Sequence, residues 1–306
     1  MSSEYKTTRS LLEKIIYFSI FNHPLKRTEL SVLANISISE LDNFLSELEA
    51  SNTVKIEQDY ILLEGFSSAK DISNRIDYET IFNQIKPKVL SNSKFISKFP
   101  FVKSIAISGS MSKGVSKDDG DIDFFIITAN NRLWLCRTIL ILFKKIFRLN
   151  SHKYFCLNYF VSESHLQIPD KNIFTSTELA YLTPTYGKDI FNNLLKTNDW
   201  YSEKFPTEGL RINFGSITKK SYLLKRLIEK TLSSSLGEWL DKKCLQTTTK
   251  RWNKKFPNFS SVDMELTMRS KRNVSKHHPS NFQKRVLEEM EKRTDIVNKK
   301  LNTVNI

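Results

Sequence analysis

The chain has 306 residues, 40% of them apolar, which is enough to enclose more than one hydrophobic core. Lys and Arg outnumber Asp and Glu by 47 to 33, and the resulting formal net charge of +14 suits phosphate-bearing partners better than small cationic ones. No apolar run reaches membrane-spanning length: Leu133 to Phe143 contains Arg137 and is followed by Lys144 and Lys145, so a helix buried against a sheet is predicted there and no membrane association. The N-terminus lacks the apolar core of a signal peptide, and Cys136, Cys156 and Cys244 have neither paired nor metal-like spacing. A cytoplasmic protein with free thiols is the expectation.

Residues 1–65 form a first unit. Apolar residues at helical spacing predict a helix over Leu11 to Phe21, stopped by His23-Pro24. A short helix follows in LKRTELSVLA, then another in ISISELDNFLSELEAS, with Ser39 as its cap and Leu41, Phe44, Leu45 and Leu48 on one side. TVKIEQ and DYILLEG read as a hairpin, since Val54 and Ile56 alternate with polar residues and Tyr60 to Leu63 form the return arm. Three helices and a hairpin resemble a winged helix-turn-helix domain. The recognition helix of such a domain would be Ser39 to Ser51, which carries Glu40, Asp42, Glu47 and Glu49 and no Lys or Arg. Phosphate contacts supply much of the affinity for DNA, so a protein partner or positioning of the neighbouring domain is expected ahead of DNA reading. Lys26 and Arg27 are the nearest cations to offer a backbone.

Residues 66–98 read as a helical connector, with Ile76, Ile81, Phe82, Ile85, Leu90, Phe95 and Ile96 at mixed helical spacing and Pro87 between two helices. A sheet then begins in KFPFVKSIAISGS. Ile105 to Ile127 runs as an apolar strand, Gly109-Ser110, a ten-residue polar interval, and Asp121-Ile122-Asp123 opening a second apolar strand. Residues two apart in a strand share a face, so the two carboxylates converge while Ile122 enters the core. Such a pair repels unless a cation lies between them, and Mg²⁺ is commonly held by one or two carboxylates together with substrate phosphates. Gly109 lets backbone approach an anion, Ser110 offers a hydroxyl and an N–H, and Lys113 stands where an ammonium would neutralise phosphate. SKDDGD is also good composition for a plain surface turn.

These residues resemble the nucleotidyltransferase superfamily that includes DNA polymerase beta, and more closely its small bacterial members. The resemblance covers roughly residues 95 to 165 and implies an α/β (α+β) fold with a small mixed sheet, with a catalytic domain over 99–205. It implies that Gly109 and Ser110 hold nucleotide phosphate and that Asp121 and Asp123 bind Mg²⁺ or Mn²⁺. A third carboxylate is often found on a neighbouring strand. In the next strand-like run, Lys153 to Ser162, the middle position carries Asn158, whose amide brings no charge and makes a poor general base. Glu163 at the end of that run is assigned the third catalytic position, with Glu178 in STELAYL as a second candidate. The function expected is transfer of a nucleoside monophosphate from a nucleoside triphosphate (NTP) to a hydroxyl acceptor. The alternative is a non-catalytic nucleotide-binding or regulatory protein that uses its winged unit for protein or DNA interaction.

Residues 206–306 read as a helical, basic C-terminal domain. Breaks fall at Pro169, at Thr183 to Gly187 (TPTYG) and at Pro206. A helix is predicted over Ser221 to Leu240, and a last one from about Asn281 to Asn298. Basic clusters follow one another at Lys242-Lys243, Lys250-Arg251, Lys254-Lys255 and Arg269 to His278. Trp252 and Phe256 interleave with the middle clusters, a pattern suited to stacking on bases beside a polyanionic backbone, and an RNA end is therefore a candidate acceptor. The other reading is a solvated basic surface with inward-packed aromatics. His277-His278 has no close partner set and is not expected to hold a metal.

Overall fold

The protein is described by a computed structural model covering residues 3–147, 155–206, 209–218, 220–277 and 281–303. Its N-terminal unit runs α1 (Ser3–Ser19), β1 (Leu25–Lys26), α2 (Arg27–Ala34), α3 (Ile38–Ala50), β2 (Val54–Glu57) and β3 (Tyr60–Leu63). The strands pair antiparallel in the order β1-β3-β2, with Ile56 opposite Ile61. Leu11, Ile15 and Phe18 of α1 meet Leu41, Leu45 and Leu48 of α3 in one buried cluster. The cap of α3 is Ser37, not Ser39. Asn35 turns the chain with φ of +55°, leaving Ser37 as the last extended residue. Its Oγ accepts the Glu40 N–H at 3.3 Å, while Glu40 Oε2 accepts the Ser37 N–H at 2.9 Å, a reciprocal box that satisfies two otherwise orphaned donors.

One helix, α4 (Ala69–Ile96), spans the segment where Pro87 was expected to divide two; at 28 residues it is about 42 Å long. Pro87 is exposed while Ile85 and Val89 on either side are buried, so the packed face carries the helix past a missing backbone donor. Near its start, Arg75 is only 2% exposed. Its guanidinium donates to the Pro24 carbonyl, to Glu29 and, at 3.1 Å, to Glu79. Burial lowers its proton affinity, but the two carboxylates outweigh that effect and hold it firmly charged. The first unit is thereby fixed to α4.

The second sheet contains β4 (Val102–Ser108), β5 (Asp123–Thr128), β6 (Cys156–Ser162), β7 (Thr183–Tyr186), β8 (Ser270–Lys271) and β9 (Val274–Lys276), in the order β7-β4-β5-β6-β9-β8. β5 and β6 are parallel and the other neighbours described are antiparallel. The helices around it are α5 (Gly109–Ser112), α6 (Leu133–Phe147), α7 (Ile173–Tyr181), α8 (Lys188–Thr197), α9 (Leu223–Thr231), α10 (Ser235–Lys255), α11 (Ser261–Thr267) and α12 (Phe282–Thr303). Strand alternation sends Phe124 and Ile126 into a core with Trp134 of α6, and Phe125 and Ile127 into a core shared with α1, α7 and α12. The architecture is mixed α/β.

Three sequence expectations change here. TPTYG is the edge strand β7 and not a break; Pro184 is tolerated because the register shifts beside it and an edge needs no donor on its outer side. Ser221 to Leu240 is divided between α9 and α10, because the Arg132 guanidinium takes the carbonyls of Leu232, Ser233 and Ser234 at 2.7–3.0 Å, which ends the first helix. The basic run from Arg269 forms β8 and β9, extending the sheet from a segment expected to be helical. Lys153, at the start of the expected third strand, and His278 lie outside the described residues. No helix among the described residues is long and apolar enough to cross a membrane.

Replacing Arg75 by Met should destabilise the protein by about 1–3 kcal/mol in urea unfolding, because the Pro24 carbonyl loses its donor and the half-buried Glu29 and Glu79 lose their shared counter-ion. Arg27→Met, which removes exposed pairs with Asp42 and Asp59, should cost under about 1 kcal/mol. Equal losses would refute Arg75 as the clamp.

Candidate functional site

β4 ends at Ser108, and Gly109 turns the chain into the single-turn helix α5. Gly109 has φ of +67°, and a Cβ added to it would collide with Asp123 Oδ2. Both the left-handed backbone and the approach of a carboxylate therefore require glycine here. Ser110 is exposed beside it, and Lys113 closes the turn with its N–H on the Ser110 carbonyl at 2.9 Å.

The expected phasing of the acidic pair is met with one change. β5 begins at Asp123, paired with Ser108, and Asp121 lies in the loop before the strand. Ile122 is fully buried, with its carbonyl accepting the Cys156 N–H at 3.0 Å, while both acids remain partly exposed. Asn158 Nδ2 donates to Asp123 Oδ1 at 3.2 Å, so the amide stands beside the pair where a third acid was sought. Burial pushes the Asp123 carboxyl up to about 7. The Cys156 thiol donates to it and opposes the rise, Asp121 and Glu178 add to it, and Lys113 offsets a little. The site carries more negative charge than its own cations neutralise.

Glu163 is not at this site. It follows the far end of β6, its N–H on the Thr128 carbonyl at 2.9 Å, whereas Asp123 is paired with Cys156 at the near end. Six steps along the strand separate the two ends, about 20 Å at ~3.3 Å per residue. Length of strand defeats the assignment, since an acid just past a seven-residue strand cannot return to its start. Glu178 of α7 does reach the site, on the opposite side from Asn158. Its Oε2 accepts the Gly109 N–H at 3.3 Å and its Oε1 lies 2.7 Å from Lys113 Nζ. Lys113 also reaches the Gly109 carbonyl at 3.2 Å and lies 5.4 Å from the Tyr181 ring.

Among the described residues, no group of three or more His, Cys, Asp or Glu side chains stands close enough to hold a metal. Two carboxylates and an amide do stand together, a hard donor set with surplus negative charge, which fits one Mg²⁺ or Mn²⁺ completed by substrate oxygens.

The basic cluster is arranged otherwise than its sequence suggested. Lys250, Arg251, Lys254 and Lys255 are exposed on α10, but Trp252 is 6% exposed. Its ring lies 4.8 Å from the Arg137 guanidinium, 4.9 Å from His277 and 6.2 Å from Trp134. Phe256 also packs against the core. Neither ring is a free platform for a base, because the spacing that put them among cations also put them on the inner face of α10. The run from Arg269, read in the sequence only as a basic cluster, takes part in a grouping the sequence did not signal: Asp170, Arg269 and Lys276 meet beside a cavity of about 260 Å³ that Gly109 and Asp123 also line. Their separation of about a hundred positions left no local signal.

A nucleotidyltransferase domain of the DNA polymerase beta-like superfamily occupies residues 89–181, where the family model described as "Nucleotidyltransferase domain" matches the chain. That span takes in the end of α4 and everything from β4 to α7, and so contains Gly109, Asp121, Asp123, Asn158 and Glu178. No curated protein and no solved structure gives a significant match.

Mn²⁺ at tenfold over its dissociation constant should stabilise the wild-type protein by about 1.4 kcal/mol, read as a rise of about 2 °C or more in the thermal midpoint. Asp121→Asn and Asp123→Asn should each remove the rise. An equal rise in all three proteins would place the ion elsewhere.

Proposed function

We propose that the protein is a metal-dependent nucleotidyltransferase that moves a nucleoside monophosphate from an NTP to a hydroxyl acceptor. The observation that carries this reading is the contact of Gly109 with Asp123, which sets backbone donors for phosphate directly against the acidic pair inside the matched domain. Asp121 and Asp123 would hold Mg²⁺ or Mn²⁺, with Asn158 fixing the Asp123 carboxylate. The ion, when bound, supplies Lewis-acid polarisation of phosphate oxygens. The Gly109 N–H and the Ser110 hydroxyl and N–H take phosphate oxygens, and the Lys113 ammonium offsets charge on the departing group. In the transfer the acceptor oxygen bonds to the α-phosphorus, the bond from that phosphorus to the bridging oxygen breaks, and pyrophosphate leaves with the electron pair. The hydroxyl proton is lost to solvent.

Glu178 gives this site its particular character. Its carboxylate holds the Gly109 N–H and the Lys113 ammonium, the same donors that this reading assigns to phosphate. Incoming phosphate therefore competes with a resident carboxylate. Glu178→Gln keeps the shape and removes the charge, and should tighten NTP binding several-fold in calorimetry; weaker binding would make Glu178 a ligand of the nucleotide complex instead.

Residues 1–65 are read as a winged-helix domain whose acidic α3 favours a protein partner or a positioning role over DNA. Residues 66–98 connect it to a catalytic domain over 99–205, and 206–306 supply a basic outer unit that also contributes β8 and β9 to the sheet. The second reading, a nucleotide-binding protein without turnover, is favoured by one observation: Asn158 stands where an acid would complete the set.

Incubation with each α-labelled NTP, Mg²⁺ or Mn²⁺, and separate pools of RNA, protein and small metabolites should label one pool. Asp121→Ala and Asp123→Ala should each lower the rate by at least about 100-fold with an unchanged circular dichroism spectrum. Saturable NTP binding without product in any pool would establish the second reading.

A further inference from the structure

The sheet face turned away from α6 carries a row of three side chains. Phe125 on β5 is opposite Tyr159 on β6, and Tyr159 is opposite Lys276 on β9. The first two rings are stacked, with centroids 5.0 Å apart and planes at 21°. This row floors the cavity of about 260 Å³, which Phe174, Leu179, Leu266 and Phe282 wall with apolar surface. Asp123 lies two residues before Phe125 on the same face, and Lys276 two strands across. From ~3.3 Å per residue and ~4.8 Å per strand, the two positions are about 12 Å apart.

The ends differ in charge. At one lie Asp123, Asn158 and Gly109. At the other, Lys276 Nζ donates to Gln283 Oε1 at 2.8 Å and lies 3.8 Å from Asp170 Oδ2. Both oxygens of Asp170 are already taken by Arg269, at 2.9 and 3.2 Å. Lys276 is thus a buried ammonium whose short contact is to a neutral amide. Burial, with Arg269 adding to it, pulls its proton affinity down to about 8, although Asp170 opposes the shift. A carboxylate entering the cavity would give it a closer counter-ion than Asp170, which stands at 3.8 Å and is shared with Arg269. The volume is below the roughly 300–1,000 Å³ of pockets for drug-sized ligands, which suits one ring with a short side chain.

We propose that this cavity binds a small aromatic carboxylate carrying a hydroxyl, with its ring over Phe125 and Tyr159, its carboxylate on Lys276 and its hydroxyl towards Asp123. The ring and the carboxylate follow from the cavity alone, and the hydroxyl rests on the nucleotidyl-transfer reading, for which it would be the acceptor.

The test uses the full chain, without nucleotide or metal, and 3-(4-hydroxyphenyl)propionate as the probe in calorimetry against its methyl ester. Saturable one-to-one binding is expected, at least about tenfold weaker for the ester. Lys276→Met should erase that preference and Lys276→Arg should keep it, each checked by circular dichroism; Gln283→Leu, which frees the ammonium without removing it, should retain the preference if Lys276→Met does not fold. Equal affinity for acid and ester, or no saturable binding of either, would overturn the proposal. Displacement of the probe by ATP alone would make the cavity a nucleobase pocket and overturn it equally. Binding of the acid by a chain that moves no label from any NTP would remove the transfer reading and leave the cavity assignment standing.

Discussion

The approach of Gly109 to Asp123 is the constraint on which the site depends. β4 and β5 run antiparallel inside the sheet with Ser108 opposite Asp123, so the end of one strand and the start of the next meet at one point at the end of the sheet. A side chain at position 109 would displace the carboxylate, and a residue other than glycine would strain the backbone at φ of +67°. The same pairing sends Ile122 inward and leaves both acids only partly exposed, so burial of a neighbouring isoleucine helps fix where the charges stand.

Electrostatics then set what this point can accept. Asp121 and Glu178 both act on Asp123, and the ammonium of Lys113 is engaged by Glu178. An acidic pair left in that state favours a divalent cation. Glu178 meanwhile engages the Gly109 N–H and the Lys113 ammonium, the donors that the proposed reading assigns to phosphate, so on that reading one carboxylate both orders these donors and competes for them. Asn158 holds Asp123 without adding charge, which lightens the repulsion at the cost of a ligand.

The rest of the molecule encloses one side of this point. Arg75, buried between Glu29 and Glu79, ties the N-terminal helices to α4, and their apolar faces continue into the core beneath α7 and α12. α12 and β9 come from the last quarter of the chain, yet they supply Phe282, Gln283 and Lys276 to the cavity beside Asp123. A ligand in that cavity would touch segments more than 150 positions apart.

The sequence by itself determined the local parts: the helix and hairpin order of the first 65 residues, the strand, glycine turn and acidic strand start at residues 102–128, and the inward Ile122 between outward acids. Each of these follows from a period of two or 3.6 residues or from the special backbone of glycine, which are properties of neighbouring positions. Position in space was decided by the tertiary structure. Glu163 and Glu178 are equally plausible in the sequence, but a parallel strand carries the first about 20 Å away while α7 folds the second back onto Gly109. Trp252 among its lysines reads as a surface aromatic until α10 packs on α6 and buries it. Pro87 reads as a break until the packing of Ile85 and Val89 outweighs one lost hydrogen bond. Asp170, Arg269 and Lys276 become a group only when β9 joins β6, because pairing between distant strands carries no short-range pattern.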